Sequence, residues 1–512
     1  SNTAIGRSAL RSNTTASYGT AVGYQAAYSN TAANGITAIG YRAGYSYATP
    51  ALTENWLSTF VGYQAGSSTT SAIDNAFVGG FSGNANTTGS YNASFGAGTF
   101  RANTTGSSNT AVGGSALASN TTASQNTAVG YQAGYSHTTA NAGLTVVGYQ
   151  AAYSNTTGAE NDAFGNVALR ANTTGSYNVS IGTVSLNQNT TGSNNVAVGN
   201  RALQGNTTAS NNVAVGYQAS YNNQSGSDTT AVGTQALYSN TGQSNDAFGY
   251  RALYNNTSGT YNVAVGKQAL QANTTAAYNT AVGYLAGNSA TTGGSNTFVG
   301  FQAGNSGNGS GFAGNTLIGS EAGKDITTPD SNVCIGVRAG AYTTSLTTGS
   351  GNVIVGAYTG VNGATNNNSI VIGYGANGKG TDTGFISPNG GGVYQGNNSA
   401  SWSTTSDQRL KKNIVDNNNG LEKINAIRVR NFEYRLPEEV DAELKPTDAI
   451  NKAGVQLGVI AQELQQVLPE CVKQESSGVL SVDPDNLTWY LVNAVKQLSA
   501  EVESLKSQLK GN

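Results

Sequence analysis

The sequence predicts a mainly β protein: a parallel β-solenoid with coils of about 17 residues, followed by a small α+β domain that ends in a helix. Three observations lead to this prediction. A glycine recurs at a near-constant spacing through most of the 512-residue chain, each repeat carries a short alternating apolar stretch, and charged residues are concentrated towards the C-terminus. One repeat cannot bury its own apolar side chains, whereas stacked repeats can.

The repeat unit reads Asn-Thr-Ala-Val-Gly-Tyr-Gln-Ala and continues into a polar turn. Its glycine occurs 22 times between Gly6 and Gly373, and 16 of the 21 intervals are 17 residues long. The alternation of Thr-Ala-Val before the glycine is typical of a strand, and so short a stretch does not make a helix. At about 4.8 Å per coil, the stack is expected to form a shaft on the order of 100 Å long.

Each position of the unit has a physical interpretation. The glycine suits a bend or a close approach of two backbones. Alanine stands three residues after it in 18 of the 22 units, which predicts a narrow interior. Asparagine stands four residues before it in 16 of 22, where it suits either an αL turn or a stacked ladder. Asp162 and Asp246 replace the usual Thr or Val, and they would need a partner or water if that position faced the core.

The shaft offers few candidate sites. A tyrosine row after the glycine is interpreted as a structural aromatic ladder, with sugar stacking as the alternative. Its members are Tyr24, Tyr41, Tyr63, Tyr131, Tyr149, Tyr217, Tyr250 and Tyr284. Asn-Thr-Thr triplets match the N-glycosylation sequon, but their regular recurrence favours a turn role. These begin at Asn103, Asn120, Asn172, Asn206 and Asn273. His137 and the separated Cys334 and Cys471 do not predict a metal site, and no cofactor is expected.

Charge divides the chain. The net charge of −2 gives no reason to expect nucleic acid or an anionic membrane as a partner. No apolar run reaches the roughly 18 residues of a membrane-spanning helix, so no membrane insertion is expected. Residues 1–385 carry 21 of the 50 charged side chains, and residues 386–512 carry 29. The predicted domains are a shaft at 1–376, a Gly- and Asn-rich neck at 377–402, an α+β domain at 403–485 and a C-terminal helix at 486–512.

The region after the neck predicts short strands and helices. Residues 432–436 are predicted as a strand, and residues 456–461 as a strand that leads into a helix ended by Pro469. Asp485 or Asn486 is expected to cap the last helix. That helix carries heptads that predict a short coiled coil, with an amphipathic helix packed on its own domain as the alternative. Leu491, Leu498 and Leu505 occupy one core position, and Val495, Val502 and Leu509 occupy the other.

Two resemblances extend this interpretation. The repeats, for example Asn-Val-Ala-Val-Gly at 195–199, resemble those of trimeric autotransporter adhesin heads, although the period there is about 14 residues. This resemblance implies a left-handed β-roll in a homotrimer. Ser406-Asp407, Leu410 to Ile414, Gly458 to Glu463, Pro469 and the last helix resemble the C-terminal intramolecular chaperone domain of phage endosialidases, tailspikes and tail fibres, a self-cleaving family known as peptidase S74.

The second resemblance implies a homotrimer, chaperoning of a β-structured stalk and release by autoproteolysis. Ser406 would be the nucleophile and Lys411 its general base. A lysine activates a serine hydroxyl only in its neutral form, which requires burial or a neighbouring cation such as Lys412. Burial that depends on trimer assembly would couple cleavage to correct folding. The expected cleavage site is the Thr405–Ser406 bond, because attack on the preceding carbonyl passes through a five-membered ring.

The sequence therefore predicts a structural trimeric fibre of a phage or virus tail, located in the virion and extracellular when mature. Its partners would be two further copies of itself, other virion proteins on the N-terminal side and a host cell-surface glycan or protein. Self-cleavage in a single turnover is the only enzymatic activity expected. The alternative is a bacterial surface adhesin or an extracellular filament that retains its C-terminal cap. A glycan-degrading tailspike is disfavoured, because the ten acidic residues of 1–385 are scattered.

Overall fold

The structure, a computed structural model of the chain, describes residues 1–48, 57–138, 143–307, 312–328, 330–387, 393–395, 406–441, 450, 452–474 and 478–511. The chain forms two compact units, residues 1–405 and 406–512. Among the described residues, no helix is both long and apolar enough to cross a membrane.

The first unit is a parallel β-solenoid, as predicted, with one three-residue strand in each of 22 coils. Each strand pairs in parallel with the strand of the next coil, so that equivalent residues lie opposite each other, as Ala197 and Ala214 do. The strands are β1 Thr3–Ile5, β2 Thr20–Val22, β3 Thr37–Ile39, β4 Thr59–Val61, β5 Ala76–Val78, β6 Ala93–Phe95, β7 Thr110–Val112, β8 Thr127–Val129, β9 Thr145–Val147, β10 Asp162–Phe164, β11 Val179–Ile181, β12 Val196–Val198, β13 Val213–Val215, β14 Thr230–Val232, β15 Asp246–Phe248, β16 Val263–Val265, β17 Thr280–Val282, β18 Thr297–Val299, β19 Thr316–Ile318, β20 Val333–Ile335, β21 Val353–Val355 and β22 Ile370–Ile372. The predicted left-handed sense and the trimer stay predictions.

In β2 to β22 the middle residue of the strand is buried inside the solenoid. Ala197 is fully buried, while its neighbours in β12 are half-buried. Ala202, three residues after the glycine, is also fully buried, which confirms the narrow interior. Asp162 is the first residue of β10 and is half-buried, so its carboxylate does not lie in the core.

Each coil has two inward positions, and in most coils a large residue at one is accompanied by a small residue at the other, so the volume of the side chains in the interior stays similar from one such coil to the next. Where the strand centre is Ala197, the second inward position is Leu203, and both are fully buried. Where the centre is Phe77, the same second position is Gly83, and a Cβ on that glycine would lie 2.5 Å from the phenylalanine ring. Because close-packed interiors tolerate neither overlap nor voids, the two positions vary together.

The repeated glycine marks a close backbone approach, as predicted. Gly199 has φ +133°, and a Cβ there would lie 2.5 Å from the carbonyl oxygen of Gly216 in the next coil. The αL conformation suggested for the repeated asparagine was wrong. Other residues of the coil, such as Asn211 (φ 61°) and Gln218 (φ 54°), adopt it instead.

The repeated asparagines form a buried ladder, which confirms the second interpretation of that position. The Asn178 Oδ1 accepts hydrogen bonds from the backbone N–H (3.0 Å) and the Nδ2 (3.1 Å) of Asn195. Its own Nδ2 donates to Asn161 Oδ1 at 3.1 Å and to the Gly192 carbonyl at 2.9 Å. Each amide therefore joins its own coil to both neighbouring coils.

Asn178→Ala is expected to lower the stability of the shaft by about 2 kcal/mol or more, because it leaves the buried Asn195 N–H without its acceptor and removes one of the two donors to the Gly192 carbonyl. Asn178→Thr should cost less, since Thr229 occupies the same position in another coil and donates to Asn212 Oδ1 at 2.7 Å. Thermal unfolding followed by circular dichroism measures both, with the exposed Thr191→Ala as the control. An Asn178→Ala midpoint equal to that of Thr191→Ala would contradict the ladder's role.

The solenoid sheet extends past the predicted shaft boundary at residue 376. Strand β23, Gly384–Ile386, pairs in parallel with β22 and antiparallel with β24, Val393–Gln395. Phe385 packs with Val371 and Ala376 in a small cluster. The predicted neck at 377–402 therefore contains the strands β23 and β24, and the predicted domain boundaries stay predictions. Much of the remaining neck lies outside the described residues.

The second unit is a small α+β domain. Its elements are α1 Leu421–Ala426, β25 Arg430–Phe432, β26 Gln456–Gly458, α2 Ala461–Val467, β27 Val472–Gln474, β28 Leu480–Val482 and α3 Pro484–Lys510. Strands β25 and β26 pair antiparallel, as do β27 and β28, and Leu464, Leu468 and Cys471 form the core. The strand predicted at 432–436 corresponds to β25, which spans residues 430–432 and shares only Phe432 with the prediction. Asp483 rather than Asp485 or Asn486 caps α3, accepting a hydrogen bond from the Asp485 N–H at 3.1 Å.

Candidate functional site

A tight turn opens the second unit. Residues Gln408–Leu410 form one turn of 3₁₀ helix, and the Asp407 side chain caps it by accepting a hydrogen bond from the Arg409 N–H at 2.9 Å. The Arg409 guanidinium closes on the same carboxylate at 2.6 Å, which holds the pKa of Asp407 below its usual value. Asp407 thus fixes a chain reversal between Ser406 and Lys411. The spacing alone did not reveal this capping role, although Asp is a common N-cap.

The reversal brings Ser406 and Lys411 together. The Lys411 Nζ donates a hydrogen bond to the Ser406 Oγ at 2.6 Å, and both side chains are exposed. The proximity expected from the five-residue spacing is therefore present. Lys412 is also exposed. Thr405, the other residue of the predicted cleavage site, lies outside the described residues.

This geometry suits a nucleophile and its base. Hydrogen-bond contact between a hydroxyl and an amine is the arrangement from which the amine can take the hydroxyl proton. The single chain therefore has the pair in contact but leaves it open to water. The catalytic assignment of Ser406 and Lys411 stays a prediction.

A polar clamp ties the segment that follows this pair to the last helix. The Asn493 Nδ2 donates to the carbonyls of Asn417 (2.7 Å) and Asn419 (3.1 Å). The Gln497 Nε2 donates to the Asn418 carbonyl at 2.7 Å, and its Oε1 accepts from the Leu421 N–H at 2.6 Å. Sequence reasoning missed this clamp; the signal was two amides four residues apart on one face of α3.

An ion pair joins β25 to α2. The Arg430 guanidinium meets the Glu463 carboxylate with two hydrogen bonds, 2.7 and 3.1 Å long, and Arg428 lies 3.7 Å away. The hydrogen bonds from Arg430 hold the pKa of Glu463 below its ordinary value of 4.5. Glu463 is the last residue of the segment 458–463, on which the resemblance to the chaperone family rests. The sequence alone did not indicate that Arg430 is its partner.

Acid is expected to weaken this domain through Glu463. A carboxylate whose folded pKa is lowered contributes stability above its ordinary pKa and loses that contribution as pH falls through the lowered value. Glu463→Gln should therefore lower the calorimetric unfolding midpoint of the second unit at pH 7, and this difference from wild type should shrink as the pH falls below about 4.5. A difference that stayed constant across this range would contradict the role given to the pair.

The predicted heptad residues form an exposed row on α3, called here the heptad seam. Its members and their exposed fractions are Leu491 47%, Val495 66%, Leu498 50%, Val502 40%, Leu505 58% and Leu509 80%. The helix packs on its own domain through other residues, including Leu487, Tyr490 and the buried Ala494. The helix thus packs on its own domain, as the alternative expected, while the heptad seam stays exposed, and the coiled coil stays a prediction. An apolar row this exposed is typical of a surface that takes a partner helix.

The candidate residues of the shaft serve the stack. Tyrosines after the glycine lie ring on ring in neighbouring coils, as with Tyr24 and Tyr41 at 5.4 Å and Tyr131 and Tyr149 at 5.7 Å. This confirms the aromatic ladder for those coils. The sequon asparagines are fully buried in a second amide ladder. They are Asn103, Asn120, Asn172, Asn206 and Asn273. His137 is buried at the equivalent position, where its Nδ1 lies 3.1 Å from the Asn155 Nδ2.

Comparison with known proteins gives one family match and similarity to two curated relatives. Residues 406–473 match the family described as the chaperone of endosialidase, peptidase S74. The chain is 37% identical over 108 residues to the long tail fibre protein Gp37 of Enterobacteria phage K3, which covers 20% of this chain and 8% of that protein. The corresponding protein of Enterobacteria phage T2 is also 37% identical over 108 residues, covering 20% of this chain and 7% of that protein. The chain thus spans less than a tenth of the length of these curated relatives.

Proposed function

We propose that this chain is a trimeric tail fibre of a phage, with a β-solenoid shaft and a C-terminal chaperone domain that directs trimer assembly and then releases itself. The observation that carries the proposal is the Ser406–Lys411 hydrogen bond, which opens the segment that matches the chaperone family. The similarity to long tail fibre proteins supports the virion role. Attachment to a host surface, and joining to other tail proteins on the N-terminal side, belong to the same proposal.

Two exposed apolar surfaces support the trimer. The heptad seam is one, and its three heptads are too short to hold chains together without help. The other, called here the outer row, is the apolar residue before each repeated glycine, 36–44% exposed in many coils. Such residues include Ile39, Phe95, Val112, Phe164, Ile181, Val215, Phe248, Val265, Val282, Ile335 and Ile372.

The outer row favours copies of the same chain as its partner. The outer row has one apolar residue per coil. Only a surface whose apolar residues have the same spacing along the solenoid axis can pack against it over its whole length. A parallel copy has that spacing, and closed symmetry allows each copy to offer the same face. Burial of one Val or Ile per coil would contribute a small free energy each time, and the sum over the coils is large.

The self-cleavage step follows from the same residues. Lys411 takes the Ser406 hydroxyl proton while Oγ bonds to the Thr405 carbonyl carbon. The Thr405–Ser406 C–N bond then breaks, and the nitrogen leaves as the new amine of Ser406 after it takes up a proton. Water hydrolyses the resulting ester to a Thr405 carboxylate and the free Ser406 hydroxyl. Trimer assembly would exclude water from the pair and favour the neutral amine.

Native mass spectrometry of the full chain tests the assembly. The expected result is a species of three chains, each of 52.0 kDa before cleavage. A monomer or dimer at micromolar concentration would contradict the proposal. The adhesin or filament alternative keeps the trimer but predicts a C-terminal domain that is never released.

A further inference from the structure

The tyrosine ladder that stabilises the shaft is too tight to hold a sugar. Rings of neighbouring coils lie with their centroids 5.0 Å apart at Tyr41 and Tyr63 and 5.4 Å apart at Tyr24 and Tyr41. A sugar ring stacked between two aromatic rings needs about twice the spacing of one aromatic pair. An intact ladder therefore offers only ring edges to a ligand.

The ladder is interrupted at Lys267. This residue takes the position of the tyrosine in its coil, between Tyr250 of the preceding coil and Tyr284 of the following one. Its Nζ lies 5.9 Å from the Tyr250 ring centroid and 5.8 Å from the Tyr284 ring centroid, and both rings are 40% exposed. The rings on either side are two coils apart, roughly 9–10 Å, which is the space that one sugar ring needs. Lys267 itself is exposed and can move aside.

A second cation is fixed beside the same slot. The Arg251 Nε donates to Gln235 Oε1 at 2.8 Å, and its guanidinium lies 5.2 Å from the Tyr250 ring and 5.0 Å from the Tyr254 ring. The bond to Gln235 anchors the guanidinium between the Tyr250 and Tyr254 rings, so Arg251 and Lys267 both lie against Tyr250. The geometry holds Arg251 in place and leaves its terminal amino groups for a ligand.

The two positive charges have no counter-ion within the described part of the chain. Neither Arg251 nor Lys267 forms an ion pair there, whereas Arg338, at the position of Arg251 in another coil, meets Glu321 at 3.0 Å. In a shaft with few charges, an unpaired cation between two exposed aromatic rings attracts an anionic group.

We propose that the slot formed by Tyr250, Lys267 and Tyr284, with Arg251 at its edge, binds an acidic sugar residue of a saccharide. The sugar ring stacks between the two tyrosines, and its carboxylate or phosphate pairs with Lys267 and Arg251. This inference rests on the proposed attachment to a host surface and specifies the ligand class. The slot residues belong to neither the heptad seam nor the outer row, and they take no part in the proposed cleavage.

The shaft provides matched variants. Thr234 stands in an equivalent interruption, between Tyr217 and Tyr250, so Lys267→Thr keeps an open slot without its cation. Lys267→Tyr closes the slot by continuing the ladder. Arg251→Gln installs the residue that other coils carry, such as Gln235 and Gln268, and removes the second charge. Equal thermal midpoints by circular dichroism establish that each variant is folded.

Binding is measured by saturation-transfer NMR titration of the full chain with trigalacturonic acid, glucose 6-phosphate and maltotriose. An acidic probe is expected to bind wild type, to bind Lys267→Thr and Arg251→Gln about tenfold more weakly, and to lose binding to Lys267→Tyr. Which acidic probe binds tells carboxylate from phosphate. The proposal is overturned if neither acidic probe binds wild type, if maltotriose binds equally well, or if Lys267→Thr binds the acidic probe as wild type does.

Discussion

Gly199→Ala is expected to disrupt the solenoid at the middle of the shaft. Gly199 has φ +133°, where a side chain is strained, and the added Cβ would lie 2.5 Å from the Gly216 carbonyl oxygen and 2.8 Å from its carbonyl carbon. Neither atom can yield without breaking the register of the next coil. Strain and overlap together should cost roughly 3 kcal/mol or more.

The loss of stability should be concentrated in the substituted coil and the coils next to it, because each coil of a solenoid contacts only its neighbours. Hydrogen exchange measured by mass spectrometry should show faster exchange at β12 and β13, together with a lower thermal midpoint. Gly80→Ala is the matched control, since a Cβ there meets nothing within 4 Å. Equal midpoints for the two variants would show that coil-to-coil contact at the repeated glycine is not what sets the period.

Leu498→Asp is expected to block formation of the trimer, because the C-terminal domain is proposed to direct assembly. Leu498 lies at the centre of the heptad seam and is 50% exposed in the single chain. In a parallel trimer, three copies of this residue would meet in one layer, and three carboxylates buried there would cost about 3 kcal/mol or more. Sedimentation velocity should then show monomers where wild type forms trimers.

Ser499→Asp makes a comparable charge change on the same helix, one residue away from the seam, and should leave the trimer intact. Because assembly is proposed to bury the Ser406–Lys411 pair, Leu498→Asp should also slow release of the C-terminal domain. A monomeric variant that cleaves at the wild-type rate would separate cleavage from assembly and remove the proposed coupling.

The shaft was the most predictable part of the protein. The glycine period fixes the coil length because the backbones touch at that residue, and the buried alanines and asparagines follow from the same geometry. The pairing of a large residue, Phe77, with a small one, Gly83, is also written in the sequence. It could not be recognised there, because the sequence does not show that both positions face the same interior. The strand β23 escaped prediction, because a single apolar triplet among glycines carries no period.

The site divided in the same way. The five-residue spacing allowed contact between Ser406 and Lys411, and the resemblance gave their roles. The capping by Asp407 depends on a turn geometry that the sequence pattern does not specify. The amide clamp of Asn493 and Gln497 depends on contacts between segments that are distant in sequence. The exposed heptad seam was predictable because a seven-residue period is a property of one helix alone.

Intact mass and denaturing gel migration of the assembled protein test the self-releasing chaperone most directly, with wild type beside Ser406→Ala and Lys411→Ala. Wild type is expected to yield a separate fragment of residues 406–512, with a mass that places the cut between Thr405 and Ser406, while both variants stay whole. If native mass spectrometry verifies the trimer and all three proteins stay whole, the domain is a permanent cap and the catalytic roles of Ser406 and Lys411 are wrong.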